Sequence, residues 1–480
     1  MSLSASLSNA LSGLSAASRA AELVSSNISN ALTPGYGPRS LQLSARAEGA
    51  AGGVRVDGVM RDVDPVLISD RRRADAALGR ATAEADYLAR LENVLGTPDD
   101  PGALSARVAE LETALLAAAG EPAAPQRLDA AVMAAERLAS GLRNASSEVQ
   151  AMRVEADTDI GRMVERMNAA LARVHDLNSA VVAAGVRGED TSGLLDQRQR
   201  AIDDLAELVP LRELARPGGA VALYTQGGAT LLDGSPVEIG FARSGVITAN
   251  MTAADGDLSG LTVDGRPVPV DRFAGGRLES RFLVRDDLAV SAQAGLDALA
   301  RELIARFEDG LPDPTLAPGA PGLFTDAGAA FAAGAETGLA GRVEVNDAVR
   351  PETGGASWRL RDGLGAATPG PAGDGALLTA MQTAVAEARP PVAGGFGSVP
   401  RGVAALAADL AAQVSTRLVD AEARQSHAAA QHTEIALAER RLGVDTDSEM
   451  QRLMVIEQLY GANARMIRAI DEMMDTLTRL

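Results

Sequence analysis

Apolar residues recur in heptads at both ends of the chain. At the start, Leu7, Leu14, Ala21 and Ile28 occupy one position of the repeat, and Leu3, Ala10, Ala17 and Val24 the second. At the finish, Leu453, Tyr460, Ile467 and Met474 form the matching line. Ile456, Ile470 and Leu477 supply the second position, a line interrupted by Asn463. A sustained seam of this kind marks a helix that needs a partner helix. Two seams at opposite ends predict a chain that runs out and back, its termini pairing as antiparallel helices or joining a larger assembly. Asn463 reads as a tolerated edge position in preference to a buried, register-setting one.

The first helix should end near Asn30, because Thr33-Pro34-Gly35 is a breaker cluster. Extended or irregular chain is expected through Leu41, Leu43, Val54, Val56 and Val59. Helical spacing then dominates. Leu104, Val108, Leu111 and Leu115 share one face, as do Ile160, Met163, Val164, Met167, Leu171, Val174 and Val181. Gly120–Pro125 and Gly185–Thr191 read as turns between helices. Beyond Pro210 come short strand-like runs: Val221, Leu223 and Tyr224, then Val237, Ile239 and Phe241, punctuated by Gly227-Gly228 and Asp233-Gly234. A helix is expected over Asp287–Asp309, with Leu288, Leu296, Leu299, Leu303 and Phe307 inward and Asp287 near its N-terminus. Val343, Val345, Trp358 and Leu360 read as strand residues. Helix returns from Val403, with a break near Gly443.

The expected fold is mainly α with β-rich inserts. It is an elongated multidomain rod, a long helical bundle with paired N- and C-terminal coiled-coil helices. Residues 1–58 and 446–480 form the two parts of the terminal unit. Residues 59–210 form the helical bundle, 277–310 a helix returning to it, and 401–445 its final return. Residues 211–276 form a β-rich outer domain. Residues 311–400 form an irregular, β-containing region that could belong to that outer domain. The β-rich lobes are expected at the far end of the rod from the termini, or on its side.

Composition narrows the function. Hydrophobic residues make up 46% of the 480 residues and aromatics only 2%, which favours slim Ala/Leu helices. The net charge is -19 and every cation is Arg, which argues against nucleic acid or an anionic membrane as partner. With no Cys, disulfides, thiolate catalysis and Cys-based metal sites are excluded. No stretch is long and apolar enough for a membrane span. The start lacks the basic and apolar regions of a cleaved secretory signal. Met1–Ser18 carries no charge. A neutral face of serines and alanines suits a helix packed on several sides, against the alternative of a flexible Ser-rich tail.

No catalytic constellation, cofactor site or metal site stands out. His427 and His432 lie about 140° apart around a helix and cannot face one ligand. With His175 they read as solvated surface residues. The neighbouring pairs Asp203-Asp204 and Asp286-Asp287 diverge by about 100° and read as surface solvation rather than as an acid/base pair.

Two terminal signatures carry a resemblance. Asn27-Ile-Ser-Asn30 followed by Pro34-Gly-Tyr36, with Tyr460-Gly-Ala-Asn-Ala-Arg465 and Asp471-Glu-Met-Met-Asp-Thr-Leu477, resembles the ends of bacterial flagellar rod, hook and hook-associated proteins. Leu104–Arg153, Leu194-Leu-Asp-Gln-Arg198, Gly276-Arg-Leu, Val284-Arg-Asp286 and Val444-Asp-Thr-Asp-Ser-Glu449 are similar to the member found at the hook–filament junction. Tyr36-Gly-Pro-Arg39 departs from that family's usual Tyr-Ser/Thr-Arg.

The resemblance implies a structural, non-enzymatic protein. Its terminal helices would order on polymerisation, and its export would use the flagellar type III route without signal cleavage. Its location would be extracellular, in the flagellum. It also implies self-assembly into a ring or short tubular layer. Its neighbours would be hook protein and a second junction protein, and a flagellar export chaperone would bind the C-terminal region. Nucleic acid and membrane insertion are not expected. The implied assembly interface is Leu3, Leu7, Leu14, Ile28, Leu453, Ile456, Tyr460, Ile467, Ile470, Met474 and Leu477. A hook or distal-rod protein is the rival within the family, and a secreted coiled-coil adhesin or interaction module the rival outside it.

Overall fold

The computed structural model describes residues 3–46, 52–97, 99–308, 313–392 and 394–479. The first helix, α1 (Leu3–Ser29), stops one residue before Asn30, as the breaker cluster dictates. The chain then forms an antiparallel hairpin of β1 (Arg39–Ala45) and β2 (Val54–Arg61), with a bulge between Gln42 and Leu43. The sequence suggested only extended or irregular chain here, because hairpin pairing is not encoded in either strand alone.

Four helices follow: α2 (Pro65–Leu95), α3 (Leu104–Gly120), α4 (Pro125–Val186) and α5 (Ser192–Ala206). Asp64 caps α2, accepting from the Val66 and Leu67 amides at 2.8 and 3.2 Å, and Pro65 supplies a first residue that needs no hydrogen bond. At 1.5 Å per residue, the 62 residues of α4 extend about 90 Å.

Next come β3 (Leu211–Ala215), β4 (Val221–Thr225), β5 (Thr230–Asp233) and β6 (Ser235–Pro236) in one antiparallel sheet. A second contains β7 (Ile239–Gly240), β8 (Leu261–Val263) and β9 (Arg266–Val268). Gly228 and Gly234 make the expected turns, at φ 84° and 82°. Beyond them α6 (Arg277–Leu283) runs through a π-helical turn at Val284–Leu288 into α7 (Ala289–Glu308). The helix therefore begins ten residues before Asp287, which lies inside it and not at its N-terminus.

Strands β10 (Phe324–Asp326) and β11 (Val343–Val345) pair antiparallel. Trp358 and Leu360 are not strand residues: they belong to the short helix α8 (Arg359–Asp362) and its cap. Helix α9 (Ala376–Ala386) follows within the region expected to be irregular. Helices α10 (Val403–Arg441) and α11 (Thr446–Thr478) complete the chain and break at Gly443. Asp445 caps α11 through the Asp447 and Ser448 amides.

Two cores share α4. The first joins the α4 stretch Leu128–Ala156 to α2, α3, α7, α9 and α10. It also takes in Phe324, Leu339, Val343, Val345, Leu360 and Phe396. The buried apolar residues described between 323 and 396 therefore pack into the body and not with the strands of 211–276. The second core joins Ile160–Leu177 of α4 to α5, α6 and the strands from Leu211 to Leu261. The β-rich insert accordingly lies on the side of α4.

Arginine carries polar duties inside both cores because the chain has no lysine. Arg285 and Asp157, wholly buried, pair at 2.7 Å between the two cores. Arg153 donates to the carbonyls of Arg285, Thr248 and Met251, tying α4 to the π turn and the insert. A planar guanidinium satisfies several carbonyls at once, which a single ammonium does not match.

Candidate assembly interface

The terminal pair is α1 and α11. Gly13 of α1 lies against Asn463 of α11. The turn after α1, with Leu32 and Thr33, shares one cleft with the turn before α11, with Gly443 and Val444. Equal runs of helix separate these two meetings, so the helices are antiparallel. Ala10, Ala17 and Val24 are the buried line of α1, while Leu3, Leu7, Leu14 and Ile28 flank it half-buried. On α11, Ile470 is buried and Leu453, Ile456 and Ile467 are half-buried. Tyr460, Met474 and Leu477 remain 47–58% exposed. Asn463 is half-buried within the seam, which corrects its reading as an edge residue.

Sequence reasoning missed a second stripe. Met450, Met454, Val455, Leu459, Met466 and Met473 of α11 are each 49–55% exposed. Leu459, Met466 and Met473, with Val455 one turn before them, form this stripe, about 100° around the helix from the seam residues Tyr460, Ile467 and Met474. Met450 and Met454 lie about 180° and 140° from Leu459 and are open positions outside it. The signal was present in the sequence as a second heptad beside the first. Helix α11 is apolar on adjoining faces, and α1 covers one of them.

The N-terminal signature builds the joint between this pair and the body. Asn27 is wholly buried. Its Oδ1 accepts the Tyr36 hydroxyl at 2.8 Å and the Arg39 amide at 3.0 Å, and its Nδ2 donates to the Arg39 carbonyl at 2.9 Å. The Arg39 guanidinium lies 4.9 Å from the Tyr36 ring centre. Asp196, from the Leu194–Arg198 segment of α5, then accepts from the Gly37 amide at 3.1 Å, from Arg39 at 2.8 Å and from Arg61 at 2.7 Å. Arg61 also bonds Gln199. The departure at Gly37-Pro38 therefore keeps the turn closed, through the Gly37 amide. Arg198 faces the other way, to Asn178 at 3.0 Å and the Gly219 carbonyl at 2.6 Å, locking α5 to α4 and the insert.

A second ionic cluster lies beside the joint. Arg71 bonds Asp75, Asp203 and Glu439 at 2.6, 2.8 and 2.5 Å, and Arg72 bonds Asp203 and Glu213 at 2.6 and 2.7 Å. Burial would lower the Arg71 guanidinium, but the surrounding carboxylates outweigh it and hold the group above its ordinary value. Burial pushes the Asp75 carboxyl up, against the pull of Arg71 and His432. Asp203 is thus a structural anchor, not surface solvation. His432 pairs with Asp75 at 2.8 Å, whereas His427 is exposed as expected. His175 is half-buried and meets the Gly234 carbonyl at 2.8 Å. Among the described residues, no three acidic or histidine side chains are grouped to hold a metal ion. No helix among them is long and apolar enough to cross a membrane.

Comparison with known proteins gives three matched segments. Residues 88–311 match the family described as flagellar hook-associated protein FlgK helical domain. Residues 440–480 match flagellar basal body rod FlgEFG protein C-terminal, and residues 7–36 match flagella basal body rod protein. Flagellar hook-associated protein 1 of Salmonella typhimurium is 29% identical over 247 residues, covering 48% of this chain and 43% of that protein. The Bacillus subtilis protein of that name is 24% identical over 518 residues, covering 98% of this chain and 96% of its own length. The match therefore spans less than half of the Salmonella relative. The solved flagellar hook junction protein FlgK from Burkholderia pseudomallei aligns with a TM-score of 0.44 at 22% identity, over 54% of this chain and 46% of that one.

Proposed function

We propose that this chain, which belongs with the flagellar rod, hook and hook-associated proteins, is a structural component of the bacterial flagellum at the hook–filament junction. One observation carries the reading. The matched segments 7–36, 88–311 and 440–480 fall in family order on α1, the helical body and the end of the chain with α11. The hook-associated match over the body favours the junction over a hook or distal-rod position. Matched signatures at both ends also separate the chain from a secreted adhesin.

The geometry supports an assembly role. Burying one of the open α11 side chains contributes roughly 1.5–3 kcal/mol. Ordering a helix costs about 1–2 kcal/mol per residue. A pair with one covered face is marginal alone, and neighbouring subunits supply the missing burial. On this reading the terminal helices complete their ordering on polymerisation. The chain self-assembles into a ring or short tubular layer between hook protein and a second junction protein. Its C-terminal region is shielded by an export chaperone beforehand. The chain leaves the cell without signal cleavage and has no enzymatic task.

Deleting residues 446–480 tests this. The expected variant keeps a folded body but gives bare hooks, secreted flagellin and no swimming, visible by electron microscopy and motility assay. Normal filaments on that strain would overturn the reading.

A further inference from the structure

The terminal seam repeats every seven residues, so apolar pairing alone permits slips. Sliding α1 past α11 by one heptad again sets Leu7 or Leu14 among Leu453, Tyr460 and Ile467. The buried line of α1 is mostly alanine and offers little shape to resist such a slip. One meeting does not repeat. Gly13 is the single glycine of α1, and a Cβ there would lie 2.9, 3.0 and 3.1 Å from Nδ2, Oδ1 and Cγ of Asn463. The Asn463 amide is held by a 3.0 Å bond to the Leu459 carbonyl. One heptad to either side of Gly13 stand Ser6 and Ala20, each with a Cβ where the amide would have to sit.

We propose that the Gly13–Asn463 meeting sets the register of the terminal helices. A polar residue interrupting an apolar seam specifies register at some cost in stability. Here the specificity comes from the close approach at Gly13, where a Cβ would force the Asn463 amide to turn out of the seam. The register in turn fixes how far the exposed Met474 and Leu477 reach along α1 toward its start. This role belongs to the chain's own helices and holds wherever the assembled protein sits.

The absence of cysteine permits a direct test. Leu11 and Met450, both half-exposed, are replaced by cysteine in the full chain and spin-labelled, and their separation is measured by double electron–electron resonance in sucrose, which favours burial. The labels lie about 20 Å apart along the pair, and a heptad slip moves them by about 10 Å. The paired fraction of the native sequence, enriched by the sucrose, should give one narrow distance above any broad background from unpaired ends. Asn463→Leu should add a population displaced by one heptad step, and Asn463→Ala, which cannot overpack, should do the same. Loss of helix would broaden the distribution without such a step. A single unchanged distance in both variants would overturn the proposal, as would a ladder of distances in the native sequence.

Discussion

In α4 every residue of the stripe Ile160, Met163, Val164, Met167, Leu171, Val174 and Val181 is buried; in α11 nine large apolar side chains stand 47–58% exposed. Both helices are long and heptad-patterned, and both were read from the same periodicity. They differ in what covers them. Helices α5 and α6 and the β-rich insert close over α4, whereas α1 covers one face of α11. The pattern of a helix states its appetite for burial, and the topology decides whether the chain itself meets it. On the proposed assembly role, the complete body would survive alone and the open end would drive association.

The boundary between the two regions is the sharpest place to break this contrast. Asp196→Ala removes the carboxylate that holds Arg39, Arg61 and the Gly37 amide. Leaving two largely buried guanidiniums without it should cost about 3–5 kcal/mol. The loss should be confined to the joint, with rapid amide exchange in β1, β2 and the end of α1 while α3 and α4 stay protected. Next, paired truncations compare the regions directly. Leu142→Ala, in the first core, should destabilise the body by about 2–5 kcal/mol in denaturant titration. Met466→Ala should stay within about 0.5 kcal/mol, yet slow polymerisation. Equal costs would erase the distinction.

The smallest effect concerns pH. Burial pushes the Asp297 carboxyl up, against hydrogen bonds from the Ala340 and Gly338 amides and Gln293. Its folded pKa lies above the ordinary 3.8, so the folded state holds the proton more tightly. That stability is present below 3.8 and is lost as pH rises through the raised folded value. Asp297→Asn should therefore flatten the fall in body stability over that window, leaving the terminal pair unaffected.

What the sequence revealed follows the range of each interaction. The stripes of α3 and α4, the turns at Gly120–Pro125 and Gly185–Thr191, and the break at Gly443 are local, and periodicity or a glycine announces them. Asp203 looked like a surface carboxylate, and the tasks of Asp196 went unread, because their partners lie more than a hundred residues away, largely on β1, β2 and α2. Trp358 and Leu360 looked like strand residues because a one-turn helix leaves no period to read. The second α11 stripe was legible as a heptad but was overshadowed by the seam beside it. Asn463 was weighed without Gly13, and only the pairing of the two ends shows what it sits on.

Hydrogen–deuterium exchange on the free chain and on assembled junctions most directly tests whether the body is complete and the terminal pair unfinished. Amides of α4 should be protected equally in both states. Those of α11 should exchange rapidly in the free chain and become strongly protected on assembly. Strong protection of α11 in the dilute free chain, unchanged by assembly, would contradict the account.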